Sequence, residues 1–288
     1  MKNFLKNQLN KPVLFIVFNR PDTTLKVFES IRKAKPKKLY IACDGPRDSN
    51  DADVEKIKKV REICKGIDWT CELKTRFRKK NLGCKYAVSS AINWFFENEE
   101  EGIILEDDTL PSNSFFEFCS YFLDYYRDEK VIWHIGGYKP KEIKKDNYSI
   151  TFTRYTHIWG WATWKDRWKH YDVNKTIKSE DLDLLKKYEY FRGRRKTKKR
   201  IKILKNLFKG EINTWDYQWN LCVRMHSGLA VRCNTNLVEN IGHNHTDATH
   251  TFKKTKENKS FEIKMNELLL PPWILPNREL ENIFDGLG

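Results

Sequence analysis

The N-terminal half of the chain alternates between apolar runs and stretches whose apolar residues recur with helical spacing. Continuous apolar runs are typical of strands that are buried on both faces of a parallel sheet. Strands that alternate with helices predict an α/β fold, in which a mainly parallel central sheet is flanked by helices. The predicted strands span 12–18, 38–43, 69–75, 102–105 and 131–137, and the predicted helices span 24–34, 51–65, 84–98 and 111–126.

The alternation ends near residue 140, and a mixed C-terminal part follows it. Because no repeat or low-complexity linker separates the two parts, we expect two halves of one domain, 1–140 and 141–288. The second half carries a basic helical insertion at about 178–210. The other elements predicted in this half are strands over 148–154 and 231–237 and a helix over 214–226.

Composition limits where the protein is expected to act. The 288 residues include seven cysteines, an odd number without a Cys-x-x-Cys pair, and several of them lie inside apolar runs. This usage predicts buried free thiols in a reducing compartment. Residues 1–10 lack the apolar core of a signal peptide, and no stretch approaches the roughly 20 apolar residues of a spanning helix. We therefore expect a cytoplasmic protein that is soluble or peripheral on the inner face of the cell membrane.

One segment carries most of the positive charge. Twelve lysines and arginines lie between residues 186 and 209 against a single acid, and the whole chain has a formal net charge of +15. Ile201, Leu204, Leu207 and Phe208 recur there at helical spacing, which predicts a basic amphipathic helix. Such a helix is typical of proteins at an anionic membrane surface, but a solvated charged helix fits equally. The absence of a recognised RNA-binding motif argues against nucleic acid as the partner.

Three acids follow the predicted strand at 102–105. Glu106, Asp107 and Asp108 would repel one another and would be costly to bury without a cation. Mg²⁺ and Mn²⁺ prefer such oxygen ligands and keep positions open for phosphate oxygens. The alternative is a solvated turn in which Asp108 caps the next helix. Because ligands bind at the carboxyl ends of parallel strands, we expect Asn19-Arg20 and Asp44-Gly45 to lie at the same sheet edge.

The segment 103–118, Ile-Ile-Leu-Glu-Asp-Asp-Thr-Leu-Pro-Ser-Asn-Ser-Phe-Phe-Glu-Phe, resembles the GT-A glycosyltransferases. The best match is to glycosyltransferase family 13, the N-acetylglucosaminyltransferase I family, and to related bacterial polysaccharide glycosyltransferases, over about residues 12–250. The resemblance implies a GT-A (Rossmann-like) fold with a donor-binding first half and an acceptor-side second half. It implies metal-dependent transfer of a sugar from a UDP-linked or similar nucleotide-diphosphate sugar to a hydroxyl of a glycan or a lipid-linked saccharide.

The same resemblance implies roles for individual residues. Arg20 matches an arginine that contacts the donor, and Asp44 matches an acid that binds the nucleoside through its base. Asp108 matches the direct ligand of Mn²⁺ or Mg²⁺. Glu106 and Asp107 match groups around the ribose, the sugar and the metal. The alternatives are a surface ion pair for Arg20 and simple turn chemistry for Asp44.

Lys85 stands where the family has a histidine near the donor, and this departure leaves the identity of the donor open.

Trp159, Gly160 and Trp161 resemble the family's acceptor-side Gly-Trp segment, which implies a wall against the donor sugar and the acceptor. The alternative for the tryptophans is aromatic packing in the core.

Transfer with inversion requires a carboxylate that takes the proton of the acceptor hydroxyl. The segment 214–219 resembles the family's Trp-Asp-Asp-Trp segment, whose first acid is that base, and Asp216 occupies its position. Tyr217 replaces the second acid. The alternative for Asp216 is an acid at a helix N-terminus, where the helix dipole favours negative charge. Trp215 and Trp219 share a helix face and are expected in the core.

Three histidines, His243, His245 and His250, lie in one short segment. The resemblance implies a loop that closes over the donor there, and zinc ligation is the alternative.

Two other classes of function are open at this point. A sugar-nucleotide nucleotidyltransferase has a similar sheet, but it places a glycine-rich loop after the first strand, and residues 18–21 contain no glycine. A nonenzymatic protein could bind nucleic acid or a membrane surface through the basic segment.

Overall fold

The computed structural model describes residues 8–48, 50–140, 147–174, 177–178, 180–183, 194–242 and 258–281. The predicted histidine segment at 243–250 and the basic residues at 184–193 lie outside these ranges. In the described part, the strands are β1 Val13–Val17, β2 Lys38–Cys43, β3 Glu72–Phe77, β4 Glu101–Glu106, β5 Thr109–Pro111, β6 Ile132–Gly136, β7 Ile150–Thr153, β8 Trp161–Trp164, β9 Leu229–Cys233 and β10 Val238–Asn240. The helices are α1 Pro21–Ala34, α2 Asp51–Lys65, α3 Gly83–Asn98, α4 Asn113–Tyr125, α5 Lys165–Trp168, α6 Arg194–Phe208 and α7 Asp216–Met225, and a 3-10 turn spans Met265–Glu267.

Eight strands form one sheet in the order β3-β2-β1-β4-β8-β6-β9-β7, and β10 pairs with β5 in a second, two-stranded sheet. The pairs β3–β2, β2–β1 and β1–β4 are parallel. β8 then runs antiparallel to both β4 and β6, β6–β9 is parallel, and β9–β7 is antiparallel. The predicted α/β class, with a mainly parallel central sheet and a mixed C-terminal part, is confirmed.

Side chains alternate between the two faces of the central sheet, as strand geometry requires. Val13, Phe15 and Val17 of β1 join a core with α1, α2 and α4. Leu14 and Ile16, one residue out of phase, join a second core with α3 and α7 on the opposite face. β1 is therefore buried on both faces, which is why its sequence has no polar residue.

The second core contains a layer of tryptophans. Trp161, Trp168, Trp215 and Trp219 are all buried, and the rings of Trp161 and Trp215 stack with centroids 5.9 Å apart. Trp161 belongs to β8, a strand that the sequence patterns did not predict. The expected placement of Trp215 and Trp219 in the core is confirmed.

Several predicted boundaries move. α1 begins at Pro21 rather than at 24, because proline is well suited to the first turn and the amide of Thr24 already donates to the Arg20 carbonyl. The helix predicted from 111 begins instead at Asn113, because Thr109–Pro111 pairs with Val238–Asn240 as a strand. That antiparallel pair joins a segment of the first half of the chain to a segment of the second.

The apolar face of the basic helix α6 packs inside the protein. Leu204 and Leu207 form a small core with Leu182 and with Leu221 of α7. On the opposite side, Lys198 and Lys202 are exposed, and so is Lys209, which directly follows the helix and whose amide still donates to the Lys205 carbonyl. Their spacing places them along one stripe of the helix.

All seven cysteines lie in the described ranges, and each is a free thiol, as predicted. None of the helices described above is both long and apolar enough to cross a bilayer.

Candidate active site

The neighbouring parallel strands β1 and β4 bring Arg20 to the acidic triplet. Ile16 lies beside Glu106 in the β1–β4 register, so the residues that follow the two strands leave the sheet at the same edge. The Arg20 Nη1 donates to Asp108 Oδ2 at 2.9 Å, and its Nη2 contacts Asp107 Oδ1. One guanidinium therefore bridges two of the three carboxylates.

The backbone of the acidic turn is fixed locally. The hydroxyl of Thr109 accepts a hydrogen bond from the Glu106 amide and donates to the Glu106 carbonyl, both at 2.9 Å. Asp107 Oδ2 accepts from the amide of Phe18 at 3.0 Å, which ties the turn to the end of β1. The Thr109 hydroxyl thus fixes the backbone of the turn, and the Phe18 amide fixes the carboxylate of Asp107.

The three carboxyl groups differ in their surroundings. Glu106 Oε1 is buried and has no hydrogen-bond partner among the described residues. Burial, followed by the charges of Asp108 and Asp107, raises the pKa of Glu106 well above its usual value. Burial also raises the pKa of Asp107 to about 6, although the charge of Arg20 opposes this shift. The cluster is therefore short of positive charge even with Arg20 in contact.

Arg20 has the complementary behaviour. Burial alone lowers the pKa of its guanidinium, but the charges of Asp107 and Asp108 raise that pKa above its usual value. The arginine remains fully ionised. The pair of ion contacts is largely shielded from solvent, since the side chains of Arg20 and Asp108 are 16% and 19% exposed.

Asp216, from the C-terminal half of the chain, lies close enough to the acidic triplet for its charge to act on Glu106. It is the first residue of α7, and its Oδ1 contacts the hydroxyl of Thr214. Its charge is among the causes that raise the pKa of Glu106. Cys84, in the first turn of α3, feels burial first and then the charges of Glu106, Asp216 and Asp108, which together raise its pKa to about 12. Glu106, Asp216 and the neutral Cys84 thiol therefore lie near one another.

Asp44 lies at the end of β2 and anchors α3. Its carboxylate accepts hydrogen bonds from the amides of Gly45, Leu82 and Gly83 at 2.9–3.2 Å. Burial nonetheless raises the pKa of Asp44. These contacts orient the start of α3 towards the site, and the predicted contact of Asp44 with a nucleoside stays a prediction.

Lys85 lies in the first turn of α3, and its ammonium sits 5.3 Å from the centre of the Tyr86 ring. It is half-buried, and its predicted proximity to a donor also stays a prediction.

The Trp159-Gly160-Trp161 segment divides into two parts. Trp161 is fully buried and stacks on His134 at 5.0 Å, which favours core packing over a wall for that side chain. Trp159 is half-buried and meets Tyr138 edge to face at 4.5 Å. Gly160 has a φ of +66°, and a Cβ there would lie 2.7 Å from a methyl of Val238. Glycine is therefore required at this turn.

Gly242 is a site residue that the sequence patterns missed. A Cβ at this position would lie 2.4 Å from Asp108 Oδ2 and 2.8 Å from Arg20 Nη1. The preceding residue, Ile241, donates its amide to the Asp108 carbonyl at 2.8 Å. The backbone after β10 therefore covers the Arg20–Asp108 pair, and the only sequence signal was a glycine before the histidine segment.

The acids suit a hard divalent cation, but they do not form a complete cage for one. Within the ranges that the structure describes, no three His, Cys, Asp or Glu side chains are arranged to hold a metal ion. Mg²⁺ and Mn²⁺ are commonly held by one or two carboxylates, with phosphate oxygens and water completing the shell. The partnerless Oε1 of Glu106 and the partly accessible carboxylate of Asp108 fit that manner of binding.

Comparison with known proteins leaves the family open. No family model and no curated protein matches the chain. Among solved structures, UDP-glucose pyrophosphorylase complexed with UDP-glucose matches 78% of this chain and 90% of its own, at 10% identity and a TM-score of 0.41. Apo UDP-glucose pyrophosphorylase matches 81% and 93%, at 10% identity and a TM-score of 0.42. HddC from Yersinia pseudotuberculosis matches 56% and 80%, at 10% identity and a TM-score of 0.33. Matches at this level identify neither a family nor an activity.

Proposed function

We propose that this protein is a metal-dependent glycosyltransferase that moves a sugar from a nucleotide-diphosphate sugar to a hydroxyl of a glycan or a lipid-linked saccharide. The observation that carries the proposal is the meeting of Arg20, Asp107 and Asp108 at the carboxyl edge of two adjacent parallel strands, with Asp216 acting electrostatically on Glu106. An edge of this kind is where α/β sheets bind their ligands.

In this proposal the acids and Arg20 bind the diphosphate of the donor, the acids through a metal ion. Asp108 holds Mn²⁺ or Mg²⁺, with Glu106 and Asp107 around the metal and the sugar. A bound divalent ion would stabilise the negative charge that develops on the leaving diphosphate. Arg20 supplies a second positive charge beside the same phosphates, with N–H groups in the fork geometry that suits phosphate oxygens.

Asp216 is the proposed base. An inverting transfer needs a carboxylate on the side from which the acceptor hydroxyl attacks, and that carboxylate must be ionised to take a proton. Asp216 starts α7, where the helix dipole favours its ionised form. Its contact with the Thr214 hydroxyl fixes the orientation of the carboxylate. Trp159 would then line the acceptor side.

The donor contacts that remain are proposals of the same kind. Asp44, at the end of β2, would bind the nucleoside base. Lys85 would face the donor from the first turn of α3. UDP is the nucleotide that the family resemblance favours.

The second enzyme class, a sugar-nucleotide nucleotidyltransferase, is less well supported. The connection from β1 to α1 consists of residues 18–20, since β1 ends at Val17 and α1 begins at Pro21. It contains no glycine and is too short to wrap a triphosphate. Instead, Asn19 donates to Asp53 at 2.8 Å and Arg20 turns towards the acids. If the purified protein released pyrophosphate from a nucleoside triphosphate, that activity would support a nucleotidyltransferase instead.

We further propose that the lysine stripe of α6 contacts an anionic membrane surface. Leu204 and Leu207 pack against Leu182 and Leu221, so the apolar side chains of α6 that the structure describes as buried are turned towards the protein rather than towards lipid. The contact would therefore be electrostatic, through Lys198, Lys202 and Lys209. This placement suits an acceptor that is linked to lipid.

A thermal-shift screen of nucleotide sugars with and without Mn²⁺ tests the proposed function. A donor that binds the folded state raises the melting temperature by mass action. We expect stabilisation that requires Mn²⁺ in the wild type, that is lost in Asp108→Ala, and that persists in Asp128→Ala, which removes an exposed acid elsewhere. A wild-type protein that no nucleotide sugar stabilises in the presence of Mn²⁺ would sink the proposal.

A further inference from the structure

Arg20 occupies one oxygen atom on each of two carboxylates that surround the proposed metal position. Its Nη1 lies 2.9 Å from Asp108 Oδ2, and its Nη2 contacts Asp107 Oδ1. The second oxygen of Asp107 is taken by the amide of Phe18 at 3.0 Å. A guanidinium in this position neutralises part of the cluster, as a cation would.

The packing around the pair leaves little space for a second cation. The Asp107 side chain is 3% exposed, and that of Arg20 is 16% exposed. The backbone of Gly242 lies directly over the contact between Arg20 and Asp108. A divalent ion that enters beside Asp108 would meet the positive charge of Arg20 at close range, and the two cations would repel each other.

We propose that Arg20 is an internal counter-ion that a divalent metal displaces from Asp108, and that the displaced guanidinium then binds the diphosphate of the donor. This inference rests on the proposed function. The inference adds an exchange of partners to that function. Before the donor binds, Arg20 balances the negative charge of the acids. After the donor binds, the metal balances the charge of the acids, and Arg20 balances the charge of the phosphates.

The exchange explains how the acids are tolerated without a complete metal cage. Three adjacent carboxylates lie at the end of β4: Arg20 bridges Asp107 and Asp108, and Glu106 has a buried oxygen without a partner among the described residues. It also makes metal and diphosphate binding mutually dependent. The metal releases Arg20 from the acids so that it can bind the diphosphate, and the diphosphate holds Arg20 away from the metal. Such coupling between two ligands is reciprocal.

Titration of the purified full-length chain with Mn²⁺ alone, followed by calorimetry or by the electron paramagnetic resonance of free Mn²⁺, tests the exchange. Removing the competing guanidinium in Arg20→Gln should tighten Mn²⁺ binding by about fivefold or more, the lower end of typical coupling between sites. Arg20→Lys, which keeps one charge but cannot bridge two carboxylates, should fall between this variant and the wild type. Asp108→Asn should abolish binding.

Nucleotide coupling provides the second measurement. Saturating UDP should tighten Mn²⁺ binding more in the wild type than in Arg20→Gln, because only the wild type has an arginine to move onto the phosphates. Arg127→Gln is the matched control. Arg127 also forms an ion pair with a largely buried acid, Glu101 at 2.8 Å, but Glu101 begins β4, at the opposite end of the strand from the acidic triplet, so the loss of Arg127 should leave Mn²⁺ binding unchanged.

Folded Arg20→Gln that binds Mn²⁺ no more tightly than the wild type would overturn the exchange. If UDP-dependent Mn²⁺ binding that requires Asp108 is present all the same, the proposed function survives that result. If no variant binds Mn²⁺ with or without UDP, both proposals fail. Should Arg20→Gln fold poorly, recovery of its wild-type melting temperature on addition of Mn²⁺ supports the exchange, and a lack of recovery counts against it.

Discussion

Arg20 donates to Asp108 across 2.9 Å, although 88 residues separate the two along the chain. The contact exists because β1 and β4 are adjacent parallel strands, paired from Val13 beside Ile103 to Ile16 beside Glu106. Parallel pairing delivers the residues that follow each strand to the same edge of the sheet. The geometry of the candidate site is therefore a consequence of strand order, and variants at Asp216 and Gly242 test what it does.

The first prediction concerns Asp216. Asp216→Asn should lower the rate of sugar transfer or donor hydrolysis by about 10²- to 10⁴-fold, the usual contribution of a general base. The dissociation constant of the donor should stay near the wild-type value, because the phosphate-binding groups are elsewhere. Steady-state kinetics combined with donor titration separates these effects. Glu211→Gln, at an exposed acid shortly before α7, is the control, and a fully active Asp216→Asn would show that another group is the base.

The second prediction concerns Gly242. Alanine there would drive a methyl into Asp108 and Arg20, so Gly242→Ala should weaken Mn²⁺-dependent UDP binding by at least about tenfold, the effect of losing one charge-assisted hydrogen bond. Gly210→Ala is the matched control. A Cβ at Gly210 meets no atom of the described residues within 4 Å, and its φ of +79° restricts the cost to backbone strain of about 1 kcal/mol. If both variants bound UDP like the wild type, Gly242 would not cover the site.

The third prediction uses the buried His134. Burial lowers the pKa of His134 to about 3, and its ring lies between the Trp219 indole N–H at 3.3 Å and the His157 carbonyl at 3.0 Å. The unfolded chain takes up this proton near pH 6.5 and the folded protein does not. The contribution of His134 to stability is therefore present above about pH 6.5 and is lost progressively as the pH falls towards 3.

Urea unfolding from pH 7 to 5 measures this effect. The free energy of unfolding of the wild type should fall relative to that of His134→Gln by up to about 1.4 kcal/mol per pH unit below pH 6.5. The comparison with the variant is essential, because the acids with raised pKa act in the opposite direction: the folded state holds their protons more tightly. A difference between the two proteins that does not change with pH would mean that His134 takes up its proton as readily in the folded protein as in the unfolded chain.

The fourth prediction concerns the lysine stripe of α6. Reversing charge at Lys198, Lys202 and Lys209 to Glu should reduce binding to phosphatidylglycerol vesicles at least about tenfold, since each basic residue near an anionic surface contributes about 1 kcal/mol. Binding should also weaken with added salt. The control reverses charge at Lys33, Lys58 and Lys59, which are exposed on α1 and α2. If the two triple variants lost vesicle binding equally, the binding would depend on the net charge of the protein and not on the lysine stripe.

Most of the architecture could be predicted from periodicity. The strand at 12–18 and the helix at 51–65 have patterns that depend only on local burial, and the structure has them as Val13–Val17 and Asp51–Lys65. β8 was missed because Trp161–Trp164 is four residues long and its register is set by β4 and β6. β5 and β10 were missed for a related reason: each is three residues long and exists only through pairing with the other.

The site was predictable to the extent that it follows the sheet. Strand ends placed Arg20 beside the acids, and this expectation was met. The use of Asp44 to hold the amides of Leu82 and Gly83 was not foreseeable, because it depends on a loop 38 or 39 residues further along the chain. Cys84 and Gly242 were missed because their significance comes from backbone packing, which composition and spacing do not report.

The tryptophan layer gives this protein a built-in optical signal. Trp215 immediately precedes Asp216, is buried, and stacks on Trp161, which itself lies beside Ile104 of the strand that ends in the acids. Indole emission depends on the polarity and geometry around the ring. Ligands that shift the start of α7 therefore change the intrinsic fluorescence, and binding can be followed in solution without attaching a label.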